Sequence, residues 1–243
     1  MSQIPPVIAH RGAAALAPEN TLAAFRRAAA LGATWVELDC QLTSDKVPVV
    51  IHDLKLRRTS SGRGLICRRS AAQLRDLDAG SWFDPSFSAE RIPTLAEALT
   101  EIARLGLGVN IEIKPSPGQA EETGRLAMRV ASQVWPRRAP PPLVSSFARA
   151  SLAAVQDERP DWPRGLLSVA LPRDWRTALS DLGCVTINLH HLRLSAERVA
   201  MIRESGYAVL AFTVNEPERA QELWQWGVTS VFTDHPERLL PLI

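Results

Sequence analysis

Cysteine is scarce in this sequence of 243 residues: Cys40, Cys67 and Cys184 are odd in number and far apart. They show no metal-ligand spacing, and a chain of this length needs no disulfide staples, so a reducing compartment is expected. Charge of one sign is lacking as well. The net charge is +2 and basic residues are spread along the chain, which gives no support to a nucleic-acid or anionic-membrane partner. Lysine is rarer still, with Lys46, Lys55 and Lys114 the only three among 28 basic residues, so it is not the default cation here. The opening "MSQIPPVIAH" has no basic stretch followed by a long apolar one, so no signal peptide is expected. No apolar run approaches the ~20 residues of a membrane span. The expectation is a cytoplasmic protein without stable membrane association; a homo-oligomer is left open.

What is present is an ordinary globular composition, 46% hydrophobic and 22% charged. The length suits one α/β barrel domain over residues 1–243, or two smaller units. Short β-branched runs alternate with amphipathic helical stretches. After "VIA", Asn20 is expected to cap a helix with Leu22, Phe25 and Ala29 at helical spacing and Gly32 past its end. Thr94 and Glu97 form a capping box, and Ser195 and the Asn215–Glu218 pair are expected to open later helices. Strands alternating with helices imply a parallel sheet. With "VPVVIHD" set aside, eight strand candidates remain, the number that closes a (β/α)8 TIM barrel. A doubly wound sheet is the alternative, weakened because no glycine-rich phosphate turn follows a strand.

"VPVVIHD" is separated from "VELDCQL" by only a short polar turn, so the two runs must pair antiparallel. That hairpin sets Asp39 roughly opposite His52, to within a residue or two. Residues 54–93 hold no clear strand and read as a small insertion over the catalytic face.

In a barrel the C-terminal strand ends converge on one face. His10 and Arg11, Glu37 and Asp39, Glu112 and Lys114, His190 and Asp234 fall at such ends, and His52 joins them through the hairpin. Residues two apart on a strand share a face. Three carboxylates in one cavity repel unless a cation sits among them, and oxygen ligands favour Mg²⁺ or Ca²⁺ over zinc. With Arg11 and Lys114 beside it, such a site suits a phosphate, and two histidines can serve as general base and acid.

The segments "AHRG", "PENT", "VELDCQLTSD", "VPVVIHD", "IPTLAEAL", "IEIKP", "AFTVN" and "TDHPE" run in order from residue 9 to 237. The chain resembles the glycerophosphodiester phosphodiesterase family. The resemblance implies a (β/α)8 barrel with an insertion after the second histidine. It also implies hydrolysis of a small-molecule glycerophosphodiester substrate to an alcohol and sn-glycerol 3-phosphate, within lipid and glycerol metabolism. By position, Glu37, Asp39 and Glu112 match the metal ligands, His10 and His52 the acid/base pair, and Arg11 and Lys114 the phosphate-binding residues. The nucleophile is either water or the substrate's own glycerol hydroxyl. Where the family shows a tryptophan, this chain has Phe212, a smaller aromatic wall.

Taken singly, these residues have plainer readings: His10 in a capped turn, Arg11 on the surface, Glu37 in an ion pair, His52 in a strand-ending turn. Their convergence favours the site. Asn188 and His190 either line the pocket or satisfy a loop, while His191 and His235 read as structural. Two other functions stay open: a related phosphodiesterase acting on lysophospholipids, and a barrel that binds phosphorylated ligands without catalysis.

Overall fold

The computed structural model describes residues 4–243. Among the described residues there are nine strands: β1 (Val7–Ala9), β2 (Trp35–Leu42), β3 (Pro48–Val50), β4 (Gly108–Ile113), β5 (Leu143–Ser146), β6 (Arg164–Ser168), β7 (Cys184–His190), β8 (Ala208–Phe212) and β9 (Ser230–Thr233). Eight of them pair parallel in a closed ring, β1 joining both β2 and β9, which makes a TIM barrel. β3 lies outside the ring, antiparallel to β2. Cys40 pairs with Val50, so Asp39 faces Ile51, one residue from the expected His52.

The helices are α1 (Leu22–Ala30), α2 (Ala71–Arg75), α3 (Leu95–Arg104), α4 (Ala120–Val134), α5 (Arg149–Glu158), α6 (Trp175–Asp181), α7 (Ala196–Glu204), α8 (Pro217–Gln225) and α9 (Pro236–Leu239). α3 shows the cause of the outer layer. Thr94 and Glu97 close the capping box, and Leu95, Leu99 and Ile102 lie buried on one face. Each such side chain contributes about 2 kcal/mol when fully removed from water. They meet Val36, Leu38 and Cys40, the outward residues of β2. The alternate residues point inward. Trp35 packs with Ile8, Leu143, Leu210 and Phe232, one from each of five strands, and plugs the barrel's interior. That plug leaves Glu37 and Asp39, further along the same face, at the open C-terminal end.

Two helix caps differ from expectation. Thr21, not Asn20, caps α1 by accepting from the Ala24 N–H. α8 begins after Glu216 without a side-chain cap. Asn20 and Asn215 are both diverted to the site, as described below. Ser195 does cap α7.

Between β3 and α3 the chain makes short turns around its own apolar cluster, including Leu56, Ile66, Leu74 and Ile92.

Candidate active site

β1 hands the chain directly to the site. Arg11 adopts a left-handed backbone (φ 51°) and Gly12 continues it (φ 83°). A Cβ on Gly12 would lie 2.6 Å from the Ala24 backbone, so only glycine lets α1 approach this turn. The turn aims the Arg11 N–H at Glu37 Oε2, 2.9 Å away. It also sets His10 beside Asp234, with Nδ1 2.7 Å from Oδ1. Burial works against the Asp234 charge, but the His10 contact outweighs it and holds this carboxyl at about 2. An ionised carboxylate only accepts, so Nδ1 carries the proton and Nε2 is left facing Glu37, 3.8 Å away. Asn215 fixes Asp234 in turn, donating to Oδ2 at 3.0 Å and accepting from its N–H at 2.9 Å.

His52 is held in the same manner from the hairpin. The buried Gln41 amide donates to the carbonyls of Ile51, His52 and Asp53 and pins the segment after β3. Nδ1 of His52 lies 2.7 Å from Asp53 Oδ1. Arg58 in turn grips both Asp53 and Glu19, with contacts of 2.6–3.0 Å. Burial holds the His52 imidazolium below its ordinary pKa.

The three carboxylates converge. Glu37, Asp39 and Glu112 each offer an oxygen within 4.8 Å of the others; Glu37 and Asp39 are buried and Glu112 nearly so. Asp39 and Glu112 are direct neighbours across β2 and β4. Burial, then Asp39 and Glu112, push Glu37 well above the ordinary carboxylate range. The same burial and the Asp39 charge raise Glu112 to about 7. Asp39 alone stays low, because Arg11, His52 and Lys114 outweigh its burial. Glu37 Oε1 and Asp39 Oδ1 are buried without a hydrogen-bond partner. Buried orphan oxygens of this kind are costly unless a cation or solvent meets them. The donor set therefore fits one hard divalent ion at metal–oxygen distances of about 2.0–2.6 Å.

The two cations lie alongside. Lys114 Nζ is 3.1 Å from Glu112 Oε1 and 3.9 Å from Asp39 Oδ1. Arg11 Nη1 donates to Glu19 at 2.8 Å, and its Nε sits 3.1 Å from Asp39 Oδ2. Asn20 closes the set, its amide donating to Asp39 Oδ2 at 2.8 Å and accepting from the Asp39 N–H at 3.1 Å. His10, Arg11, Glu37, His52, Glu112 and Lys114 all line one cavity of about 290 Å³. A larger one, about 660 Å³, lies at the opposite barrel end beside Trp35 and Trp162, and carries none of these groups.

The seven residues to which the resemblance gives roles thus meet in one place. His190 does not line the cavity; it accepts from the Leu192 N–H and stands edge-on to Phe212. Asn188 is buried and accepts from Thr186. The sequence reading missed the supports: Glu19, Asn20, Gln41, Arg58 and Asn215. The "PENT" and "VELDCQ" segments contain three of them, but only the folded register reveals what they touch.

Two measurements follow from this geometry. Arg58→Ala releases the partners of both His52 and Arg11, so kcat is expected to fall ~10-fold or more, as for other orienting side chains. Arg58→Lys should recover only part, since it lacks the forked geometry. Unchanged steady-state kinetics in Arg58→Ala would contradict the tethering role. The second concerns stability. A carboxyl raised by folding keeps a proton that the unfolded chain has lost. Stability of the metal-free protein therefore falls as pH rises from about 4.5 towards 7 through Glu112, with Glu37 acting in the same sense. A divalent ion removes that penalty by displacing the protons. The gain in Tm from saturating Mg²⁺ or Ca²⁺ should be larger at pH 8 than at pH 5, by on the order of 5 °C. Equal gains in calorimetry at both pH values would contradict it.

Comparison with known proteins gives one consistent answer. Residues 10–238 match the Glycerophosphoryl diester phosphodiesterase family. A glycerophosphodiester phosphodiesterase of Caldanaerobacter subterraneus subsp. tengcongensis is 36% identical over 242 residues, covering 98% of this chain and 97% of that protein. Another from Bacillus subtilis is 32% identical, covering 95% and 83%. Among solved structures, an Oleispira antarctica phosphodiesterase in complex with the product sn-glycerol-3-phosphate superposes with a TM-score of 0.95 at 40% identity, covering 98% of this chain and 96% of that one.

Proposed function

The chain belongs to the glycerophosphoryl diester phosphodiesterase family, and from that membership we propose that it hydrolyses glycerophosphodiesters to an alcohol and sn-glycerol 3-phosphate by metal-dependent histidine acid/base catalysis. The observation that carries this reading is the gathering of Glu37, Asp39 and Glu112 within 4.8 Å, in one cavity with two Asp-anchored histidines. Glu37, Asp39 and Glu112 would hold one Mg²⁺ or Ca²⁺, which when bound supplies positive charge for the phosphate oxygens.

Arg11 and Lys114 bind the phosphate from the sides. Both are raised above their ordinary pKa by the carboxylates around them, against the effect of burial, and so stay charged. His10 borders the enclosed cavity, whereas His52 borders both that cavity and an open groove beside it. We assign His10 as the base and His52 as the acid on that ground. Nε2 of His10 takes the proton of the attacking hydroxyl as its oxygen bonds to phosphorus; water gives sn-glycerol 3-phosphate directly, whereas attack by the glycerol hydroxyl gives a cyclic phosphate that a water molecule then opens to the same product. The bond from phosphorus to the alcohol oxygen breaks, its electrons stay on that oxygen, and His52 protonates it. The Asp partners keep both rings oriented through the cycle.

Phe212, which lines the cavity, supplies an apolar wall for the glycerol arm. The three cysteines are free, which accords with a reducing, cytoplasmic setting. The test is direct: glycerophosphocholine incubated with the protein and Mg²⁺ or Ca²⁺ should release sn-glycerol 3-phosphate in a coupled assay. Tight binding in calorimetry with no product would instead favour a non-catalytic barrel.

A further inference from the structure

The enclosed cavity opens past His52 into a groove of about 370 Å³. His52, Glu112, Lys114 and Phe147 border both spaces, and Leu54, Ile113, Pro115 and Ala148 line the groove alone. Its two flanking side chains are unusual for their exposure: Leu54 is 42% and Phe147 46% accessible. Phe147 follows the end of β5, and the next two strands continue the pattern. Val169, after β6, is 55% accessible and Leu192, beyond β7, is 71%. Thus four of the seven most exposed large apolar side chains among the described residues stand at the catalytic rim. Scattered exposed apolar residues need no explanation, but a row at the mouth of an active site marks where something apolar is bound.

Charge points the same way. The groove's ionisable residues are His52, Glu112 and Lys114, all belonging to the site described above. Glu112 already faces Lys114 at 3.1 Å. Among the described residues no further carboxylate lines the groove to pair with an amino alcohol. A compact cationic alcohol would gain little there.

We propose that the groove holds the leaving alcohol of the diester, and that the enzyme favours glycerophosphodiesters whose alcohol carries an apolar chain. This rests on the hydrolysis proposed above and deepens it. Phosphate at Arg11 and Lys114, with glycerol in the deeper cavity, leaves the groove past His52 open to the second ester arm. Its chain then lies between Leu54, Pro115 and Phe147. In a half-open groove each added methylene should raise kcat/KM about two- to threefold.

A series of glycerophospho-n-alkanols from ethanol to hexanol, with glycerophosphocholine alongside, tests this, since every member yields the same sn-glycerol 3-phosphate. kcat/KM should rise on the order of 10- to 100-fold from ethyl to hexyl, with the choline ester near the ethyl one. Leu54→Ser, which alters the groove but not the enclosed cavity, should pull the hexyl-to-ethyl ratio down several-fold. A flat or falling series, or a ratio untouched by Leu54→Ser, would overturn the groove assignment while leaving hydrolysis intact. Self-association in sedimentation that Leu54→Ser abolishes, with a flat series, would assign the groove to a second copy of the chain. No turnover of any member in the presence of metal would bring down the proposed hydrolysis itself.

Discussion

Replacing His52 or His10 with alanine is expected to lower kcat by ~10²–10⁴-fold, the ordinary contribution of a positioned acid or base. KM should move far less, because Arg11 and Lys114, the phosphate contacts proposed above, are retained in either variant. Fold loss is a small risk at both positions. His52 is only partly buried and makes one side-chain contact, with Asp53. The His10 side chain likewise makes one hydrogen bond, to Asp234. The two variants should differ in how they depend on the leaving group. If His52 protonates the departing alcohol, a substrate with an acidic leaving group such as p-nitrophenol needs no such proton. His52→Ala should then recover much of its rate on that substrate, and His10→Ala should not. Wild-type turnover in either variant would remove that histidine from the mechanism, and rescue of His10→Ala alone would exchange the two roles.

Chelation is expected to be as severe. With EDTA, hydrolysis should fall ~10³-fold or more, since metal charge on a transferring phosphate is worth several kcal/mol. Mg²⁺ or Ca²⁺ should restore it. The reason lies in the carboxylates themselves. Without a divalent ion, Glu37 and Glu112 are pushed upward by burial and by their acidic neighbours, towards the protonated form. The phosphate would then meet Arg11 and Lys114, both already engaged by Asp39, Glu19 and Glu112. Full activity in the chelated enzyme would refute the metal role.

The barrel and the seven converging residues were legible because both follow from short-range rules. Period-2 alternation on β2 and β4 puts Glu37, Asp39 and Glu112 on the inner face, and parallel pairing then aligns Asp39 with Glu112. The tight turn after β2 forces an antiparallel return, which brings His52 near Asp39 to within one residue. Asn20 and Asn215 were misread for an equally physical reason. Each precedes a helix and has the chemistry of a cap, yet each amide finds a stronger use on a carboxylate about 19 residues away, Asp39 or Asp234. Local pattern cannot see such a competitor. Arg58 was invisible because it is one arginine among several in a loop without periodicity, and only its grip on Glu19 and Asp53 sets it apart.

One cation, bound by acidic groups that the chain brings together from separate strands, is what every step here presupposes. Titrating Mn²⁺ into the metal-free protein while following the free-ion signal by electron paramagnetic resonance measures it without reference to turnover. A single site per chain is predicted, weakened by tenfold or more in Glu37→Gln and in Asp39→Asn. Equal stoichiometry and affinity in wild type and both variants would show that the ion, if bound, sits elsewhere.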